Sequence, residues 1–380
     1  MNRSPIRLQY APAATPQHGA QIDNPLFELL GAIHDGGSIR AAADALEQSY
    51  RHVWGTIKQW EQVIGEPLVV WQKGRPALLT PFAERLLWAE RRARVRMLPH
   101  IEALRLGLEQ VMREASDARW QAVPVHASHD LALPRLQALA QERQLHLDQR
   151  FFGSLQALRD LAEGRCAVAG FHVPRALSGS PRFESAMKPW LKLGKHKLIA
   201  CHRRQQGLMV HRAWAPRLIG LTDLARGGLR FVNRSTGCGT RLMMDALLDG
   251  TSVDRTAIDG YETRIEDTHV SVAAAIASGA GDAGPGLAAA AHEFGLAFVP
   301  LVEENYYLVC LKDVLDSPAV LRLRETLASA AWRAALEGLA GYAPIDDAGE
   351  VLSLSKTLPW WSIDRPRGRR RGKGVVVAAS

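Results

Sequence analysis

The sequence predicts a multi-domain protein in which a small helical domain and a long connecting helix precede a larger α/β domain. Three observations support this fold class. Residues 25–87 show apolar residues at helical spacing, residues 81–115 form one charged stretch with few helix breakers, and from about Trp120 short β-rich runs alternate with amphipathic helices. We expect five segments: a disordered leader (1–20), the helical domain (21–83), the connecting helix (84–118), the α/β domain (119–345) and a flexible basic tail (346–380).

The composition is that of an ordinary folded protein. The 380 residues are 47% hydrophobic and 23% charged, which excludes a collagenous, wholly disordered or disulfide-stapled chain. No apolar run approaches the roughly 18 residues of a membrane span, and residues 1–21 lack the apolar core of a signal peptide, so we expect a cytoplasmic protein without a membrane partner. The four cysteines are far apart and form no C-x-x-C pair, so the sequence supports neither a structural zinc site nor a redox dithiol. We expect no cofactor.

The positive charge is concentrated at the C-terminus. The chain has 47 Lys and Arg against 39 Asp and Glu, a formal net charge of +8. Six basic residues and no acidic one lie between Arg365 and Lys373, so this segment accounts for most of the excess. Two interpretations of the tail stay open: a non-specific contact with nucleic-acid phosphates, and a solubilising extension.

Residues 25–79 predict three helices followed by a two-stranded wing. Gly37 ends the first helix, Ser38 is a suitable N-cap for a second helix over 39–46, and Ser49 precedes a third over 50–64. Two short apolar runs joined by a hairpin follow. This order describes a winged helix-turn-helix, whose third helix enters the major groove of DNA while the wing touches phosphate. The candidate DNA-binding residues are Ser38, Arg40, Ser49, Tyr50, Arg51, His52, Trp54, Lys58, Lys73 and Arg75.

This segment resembles the DNA-binding domain of LysR-type regulators. The resemblance rests on Gly37-Ser38-Ile39-Arg40-Ala41-Ala42-Ala43, Gly65-x-Pro67-Leu68-Val69 and Leu79-Thr80-Pro81-x-Ala83. Ser49-Tyr50-Arg51-His52-Val53-Trp54 is closer to the molybdate-responsive ModE repressors.

The resemblance implies dimerisation through the long helix that follows the wing. Apolar residues recur there at roughly heptad spacing: Phe82, Leu86, Ala89, Ala93, Leu104, Leu108 and Val111. We therefore expect a homodimer or homotetramer that binds double-stranded DNA at a pseudo-palindromic operator, with half-sites about one helical turn apart.

Four places in the α/β region put Ser, Thr or Gly at the end of a strand, just before a helix. They are Ser128, Ser154, the turn Thr236-Gly237-Cys238-Gly239-Thr240, and Thr268. Such ends present free backbone N–H groups and the positive end of the helix dipole, which together bind anions. Helix capping alone would explain any one of them, whereas four in one α/β architecture favour a ligand crevice.

Charged and titratable residues lie beside these four places. We expect Arg241 to neutralise the charge of an anion, with Arg234 as a second candidate. His129, His172 and His269 lie at strand ends and would donate to an anion when protonated. A histidine-only metal site is the weaker alternative, and we assign no metal.

The α/β region resembles the type 2 periplasmic-binding-protein-like domain, in the branch fused to ModE-like DNA-binding domains and to molybdenum-cofactor enzymes. The motifs include Ser128-His129-Asp130, Phe231-Val232-Asn233-Arg234-x-x-Gly237-x-Gly239-Thr240-Arg241 and Ala280-Gly281-Asp282-Ala283-Gly284. The resemblance implies two lobes that close on a small anionic effector, an oxoanion or a molybdenum-linked metabolite, with the molybdate and tungstate class favoured. The expected fold is thus an all-α winged helix-turn-helix and a linker helix, followed by an α/β two-lobed domain of this type.

Three classes of function are consistent with these sequence features. The leading one is a ligand-responsive transcription regulator without enzymatic activity. The second is a cytoplasmic oxoanion- or molybdenum-cofactor-binding protein with no role on DNA. The third is an enzyme that uses Cys238 as a nucleophile near His269, although no third catalytic group is evident.

Overall fold

The computed structural model describes residues 24–70, 77–116 and 120–361. The N-terminal part contains the predicted three helices, two strands and long helix. Their bounds are α1 Pro25–Gly36, α2 Ile39–Ala45, α3 Tyr50–Ile64, β1 Val69–Val70, β2 Leu78–Leu79 and α4 Pro81–Ser116.

Capping residues mark the ends of the first three helices. Gly37 ends α1 with a φ of 66°, in the left-handed region that glycine adopts without strain. The Ser38 hydroxyl accepts a hydrogen bond from Ala41 N at 3.0 Å, and the Ser49 hydroxyl accepts one from His52 N at 3.2 Å. The helices enclose a core that includes the buried residues Leu30, Ile33, Ile39, Val53 and Ile57.

The wing is tied to the third helix by a carboxylate. Oε1 of Glu61 accepts hydrogen bonds from Leu68 N at 2.8 Å and Val69 N at 3.3 Å, which fixes the start of β1. The strands pair antiparallel, Val69 with Leu79. The predicted wing residues Lys73 and Arg75 lie outside the described residues.

The larger domain is α/β, as predicted. Its strands are β3 Gln121–Ala127, β4 Leu145–Phe151, β5 Val168–Pro174, β6 His196–Val210, β7 Asn233–Arg234, β8 Ile265–Glu266, β9 Ala283–Leu287, β10 Ala297–Leu311, β11 Tyr342–Ala343 and β12 Val351–Leu352. Its helices are α5 Leu133–Glu142, α6 Ser154–Ala162, α7 Pro181–Met187, α8 Gly239–Asp249, α9 His269–Ala277, α10 Ala288–Glu293, α11 Pro318–Leu327, α12 Ala330–Glu337 and α13 Leu354–Thr357.

Two long strands join two lobes. The first lobe contains the parallel strands β3, β4 and β5 with α5, α6, α11 and α12; the second contains β7, β8 and β9 with α8, α9 and α10. The 15-residue strands β6 and β10 pair antiparallel, β10 borders β5 in the first lobe, and β6 borders β9 in the second. The register between β6 and β10 shifts at Pro300/Val302 and again at Tyr306/Tyr307. Residues in the middle of β6 and β10 therefore lie between the lobes.

The linker helix α4 contacts both the N-terminal domain and the α/β domain. Ala83 and Leu87, in its first two turns, are buried in the N-terminal core, so that core extends past the predicted boundary at residue 83. Further along, α4 packs against α9 of the second lobe and β4 of the first. In the part of the chain that the structure describes, no helix combines the length and the apolar composition of a membrane span.

The predicted start of the flexible tail at residue 346 is wrong. β12 pairs with β6, and Leu354, Leu358 and Trp360 are buried in the core that joins the lobes. The indole Nε1 of Trp360 donates to the Ser178 carbonyl at 2.6 Å. These apolar side chains are stabilised by burial, so the folded domain extends at least to residue 361. The basic cluster from Arg365 to Lys373 lies outside the described residues.

Candidate functional site

The predicted DNA-reading surface is the N-terminal part of α3. Tyr50, Arg51 and His52 are exposed there, and Arg40 is exposed on α2. Ser38 and Ser49 act as helix caps, so their hydroxyls are already engaged by backbone N–H groups.

Two predicted DNA contacts have other partners in the structure. Trp54 is half-buried against the N-terminal core, and Lys58 lies over its ring at 4.5 Å. The Lys58 ammonium also forms an ion pair with Glu61 at 2.6 Å. Trp54 therefore contributes to the packing of the N-terminal core, and the charge of Lys58 is partly neutralised.

The helix N-termini of the two lobes meet over β5. A Cβ placed on Gly239, the first residue of α8, would lie 2.6 Å from Cε1 of His172 on β5 and 3.2 Å from Oγ of Ser154, the first residue of α6. A Cβ on Gly153 would lie 3.1 Å from the Gly237 carbonyl oxygen. Only glycine permits this approach, which brings α6 of the first lobe and α8 of the second together.

Buried polar atoms without a hydrogen-bond partner cluster around this meeting point. Among the described residues they include Nδ1 of His129, Oγ of Ser154, Oε1 of Gln206, Nε and Nη1 of Arg234, and Nδ1 of His269. Buried polar groups are nearly always paired, because an unpaired one costs about 1–3 kcal/mol. A cluster of them from both lobes makes this place a candidate binding site for a polar ligand.

Arg234 is the positive charge of this cluster. Its side chain is buried at the end of β7, and Nη2 donates to the Asp267 carbonyl oxygen at 2.7 Å. Within the described ranges no carboxylate forms an ion pair with it. Burial and the nearby Arg204 lower the pKa of Arg234 from its ordinary value, although Cys238 opposes the shift. A buried arginine without a carboxylate partner is able to bind an anion.

A buried ionic network forms the floor of the site on the two crossing strands. Arg204 on β6 donates to Asp130 at 2.5 Å and to Glu304 on β10 at 3.0 Å. Nδ1 of His172 lies 2.7 Å from the other Glu304 oxygen. Gln206 donates to Glu304 and to the Thr240 hydroxyl, both at 2.9 Å. The network connects the first lobe with the start of α8.

Charges within the network keep both carboxylates ionised. Burial would raise the pKa of Asp130, but His202 and Arg204 outweigh it and hold that pKa well below its ordinary value. Burial would likewise raise the pKa of Glu304, but His172 and Arg204 lower it to about 2. Burial acts against the positive charge of Arg204, yet Glu304 and Asp130 raise its pKa. Arg204 is therefore neutralised by these two acids and contributes little free charge.

The three histidines are held neutral. Burial is the largest cause in each case, and it lowers the pKa of His172, lowers that of His129 to about 4, and places that of His269 well below the ordinary value. The charges of Arg234 and Arg204 add to the shift at all three, while Glu304 opposes it at His172. At neutral pH these histidines are therefore uncharged, and donation to an anion by protonated rings requires a lower pH.

Arg241, the first candidate for neutralising an anion, is already paired with acidic side chains. Its guanidinium lies over the ring of Tyr261 at 4.5 Å, forms an ion pair with Asp245 at 3.2 Å and another with Glu262. Asp245 and Glu262 therefore already neutralise the charge of Arg241. Arg234, the second candidate, has no such carboxylate partner among the described residues.

The remaining predicted residues lie around the site in structural roles. The Cys238 sulfur accepts a hydrogen bond from Arg241 N and caps α8, and the Thr268 hydroxyl accepts one from Ser271 N and caps α9. Thr236 and Gly237 are exposed in the turn before α8, with φ of 88° at Gly237. The Ser128 carbonyl accepts from the Tyr306 hydroxyl at 3.0 Å. Among the described residues no group of His, Cys, Asp and Glu forms a metal site.

Sequence reasoning missed Arg204, Gln206 and Glu304. The available signal was the polar content of two otherwise apolar strands, in His202-Arg203-Arg204-Gln205-Gln206 and Glu303-Glu304. Their relevance depends on the pairing of β6 with β10, which joins residues about a hundred positions apart.

Two family models match separate parts of the chain. A PBP superfamily domain matches residues 136–328, and the bacterial regulatory helix-turn-helix protein, lysR family, matches residues 26–84. The uncharacterized protein YvgK of Bacillus subtilis (strain 168) is 31% identical over 216 residues, which are 57% of this chain and 68% of YvgK. An uncharacterized protein of the ferredoxin 2Fe-2S gene 5' region of Clostridium pasteurianum is 30% identical over 117 residues, 30% of this chain and 98% of that protein.

Among solved structures, the full-length LTTR LysG of Corynebacterium glutamicum with bound effector Arg is 18% identical. It aligns with a TM-score of 0.40 over 84% of this chain and all of that chain. The two family matches together cover the helix-turn-helix and most of the α/β domain. The chain therefore belongs to the PBP superfamily through its α/β domain and carries a lysR-family helix-turn-helix ahead of it, which makes it a LysR-type transcriptional regulator.

Proposed function

We propose that this regulator is a cytoplasmic protein that senses a small oxoanion, of the molybdate and tungstate class, in the site around Arg234. The observation that carries the proposal is a buried arginine without a carboxylate partner, surrounded by unpartnered polar atoms from both lobes. The helix-turn-helix reads DNA, and occupancy of the site changes how it does so.

The balance of charge favours an anion. Asp130 and Glu304 neutralise Arg204, and the histidines are neutral, so Arg234 is the excess charge of the site. The N-termini of α6, α8 and α9 add the positive ends of three helix dipoles. An oxoanion accepts hydrogen bonds from Arg234, the Ser154 hydroxyl and backbone N–H groups at once.

The close approach of the lobes favours a small ligand. No side-chain atom can be added at Gly239 without meeting His172, and Gly153 is nearly as restricted. A compact tetrahedral anion fits between such surfaces more readily than an extended organic molecule.

The dimer forms through α4 in this proposal. Leu104, Leu108 and Val111 are 53%, 44% and 65% exposed and lie at i, i+4 and i+7, on one face of the helix. A second copy of α4 would bury this stripe. The resulting two-fold symmetry favours a homodimer, or a homotetramer built from two such dimers, on a pseudo-palindromic operator.

Selection of binding sites from random DNA duplexes tests the proposal. The full-length protein is expected to enrich sequences with two inverted half-sites centred about 10 base pairs apart. Sodium molybdate is expected to change its affinity for the enriched duplex by at least about fivefold. Enrichment of no sequence would contradict the DNA-reading role, and an unchanged affinity with every oxoanion tested would contradict the sensing role.

A further inference from the structure

We infer that Arg96 of the linker helix and Glu266 of the second lobe form a latch, which transmits occupancy of the anion site to the DNA-binding domain. The inference rests on the proposed function, since it concerns the regulation of that site. It assigns a role to one ion pair between the two parts of the molecule.

The pair has the geometry of a two-point contact. Nε of Arg96 donates to one Glu266 oxygen at 3.0 Å and Nη2 donates to the other at 2.5 Å. The Glu266 side chain is 9% exposed, whereas that of Arg96 is 59% exposed. A bidentate contact on a mostly buried carboxylate fixes the orientation of the arginine more firmly than a surface ion pair does.

Glu266 is directly connected to the anion site. It is the cross-strand partner of Arg234 in the parallel pair of β7 and β8. The next residue, Asp267, accepts a hydrogen bond from Arg234 through its carbonyl oxygen, and Thr268 then caps α9. An anion that draws Arg234 toward itself therefore pulls on the strand that carries Glu266.

A second contact lies one turn away on the linker helix. Arg92, four residues before Arg96, donates to the hydroxyl of Ser278, at the end of α9, with a distance of 3.1 Å. α4 thus holds β8 at the start of α9 and Ser278 at its end. Because α4 also packs against β4 of the first lobe, it contacts both lobes and registers a change in the angle between them.

Single substitutions test the latch through the effect of molybdate on DNA affinity. Arg96→Gln and Glu266→Gln are expected to bind sodium molybdate with dissociation constants within about threefold of the wild type, because neither side chain reaches the anion. In both variants the change in affinity for the selected duplex on adding molybdate is expected to fall below about twofold, from at least about fivefold in the wild type. The matched control is Arg94→Gln, since Arg94 pairs within its own helix with Glu90 at 2.7 Å; it is expected to keep the full response.

The charge swap Arg96→Glu with Glu266→Arg supplies the positive test. Restoring an ion pair of reversed polarity is expected to recover at least half of the response that the single variants lose. Loss of the response in Arg94→Gln as well, or a full response in Arg96→Gln, would overturn the latch.

The latch can fail separately from the proposed function. If the wild type binds no oxoanion, the proposed function fails, and the same variants are compared on the duplex without any anion. The latch then predicts that Arg96→Gln and Glu266→Gln each shift the DNA dissociation constant and that the double variant shifts it no further. Additive shifts, or none, would overturn it.

Discussion

Arg234 is the residue on which the proposed anion site depends. Its guanidinium is buried with a single backbone carbonyl as hydrogen-bond partner, and two of its nitrogens have none. A buried charge without a counter-ion destabilises the folded state unless a ligand completes it. Residues at functional sites commonly lower the stability of the folded protein in this way.

Replacing Arg234 with Met tests this interpretation. Arg234→Met removes an uncompensated buried charge, so we expect an unchanged or higher melting temperature without anion, together with loss of the rise that an oxoanion produces. The matched control is Arg241→Met, which breaks ion pairs with Asp245 and Glu262. We expect that variant to melt at a lower temperature and to keep the anion-induced rise. The opposite pattern would place the anion at Arg241.

The histidines give the site a pH dependence of defined sign. In the folded protein burial and Arg234 lower the pKa of His129 to about 4 and that of His269 well below its ordinary value, whereas the unfolded chain has ordinary values. The unfolded state therefore binds more protons, and stability is lost as the pH falls from about 6.5 toward 4. A bound anion favours the protonated histidines, so its stabilising effect grows in the same window.

Thermal unfolding at two pH values checks this expectation. The rise in melting temperature that an oxoanion causes is expected to be larger at pH 6.0 than at pH 7.5. His269→Asn should reduce the difference, while the exposed His292→Asn should preserve it. A smaller rise at pH 6.0 in the wild type would contradict the placement of the histidines at the anion.

The sequence indicates the position of some site residues better than that of others. Ser154, His172 and His269 lie near one another in the structure, and the sequence indicates them because each lies beside a strand end or helix start, which is a local property. Arg241 was favoured over Arg234 because the sequence does not show that Asp245 and Glu262 engage it. Cys238 caps α8, and since LysR-type regulators are not enzymes, the prediction that the chain is not an enzyme is confirmed.

At the level of secondary-structure elements, residues close together in the sequence determine the bounds of α3 and the position of the wing. Ser49 caps α3, Gly65 ends it, and Glu61 holds the start of β1. These signals lie within about twenty residues, which is why the sequence predicts the helices of this domain closely. The crossing strands β6 and β10 differ, because their network of Arg204, Gln206 and Glu304 exists only once distant strands pair.

The exposed start of α3 makes a direct prediction about DNA binding. Arg51→Ala and His52→Ala are expected to weaken binding to the selected duplex by about 1–3 kcal/mol each if they contact bases, and to leave the anion-induced rise in melting temperature unchanged. Gln62→Ala, also exposed but near the end of α3, serves as the control and should bind DNA as the wild type does. Binding measured by fluorescence anisotropy decides the point; unchanged affinity in both variants would show that another surface reads the DNA.

At the scale of the whole molecule, α4 connects the parts. Its first turns belong to the N-terminal core, its middle contacts α9, and its later turns expose an apolar stripe. One helix thus carries both the expected dimer contact and the contacts with the two lobes. A movement of the lobes would therefore shift the N-terminal domains of the dimer relative to each other.

Dimerisation through α4 is testable by a single charge. Leu104→Glu places a carboxylate in the exposed stripe and is expected to shift the protein toward monomer in sedimentation velocity, with weaker binding to a two-half-site duplex as a consequence. Ile219→Glu is the control, because Ile219 is 78% exposed in a loop of the second lobe. A Leu104→Glu protein with the wild-type assembly state would show that the copies associate elsewhere.

The most direct test of the whole account is the thermal unfolding of the full-length protein with a panel of molybdate, tungstate, sulfate, phosphate, formate, nitrate and molybdopterin-type compounds. A ligand at a hundred times its dissociation constant stabilises the folded state by about 2.7 kcal/mol. The account predicts a selective rise in melting temperature with one class of tetrahedral oxoanion, and no rise in Arg234→Met. A flat panel, or a rise that persists in Arg234→Met, would contradict an oxoanion site at Arg234.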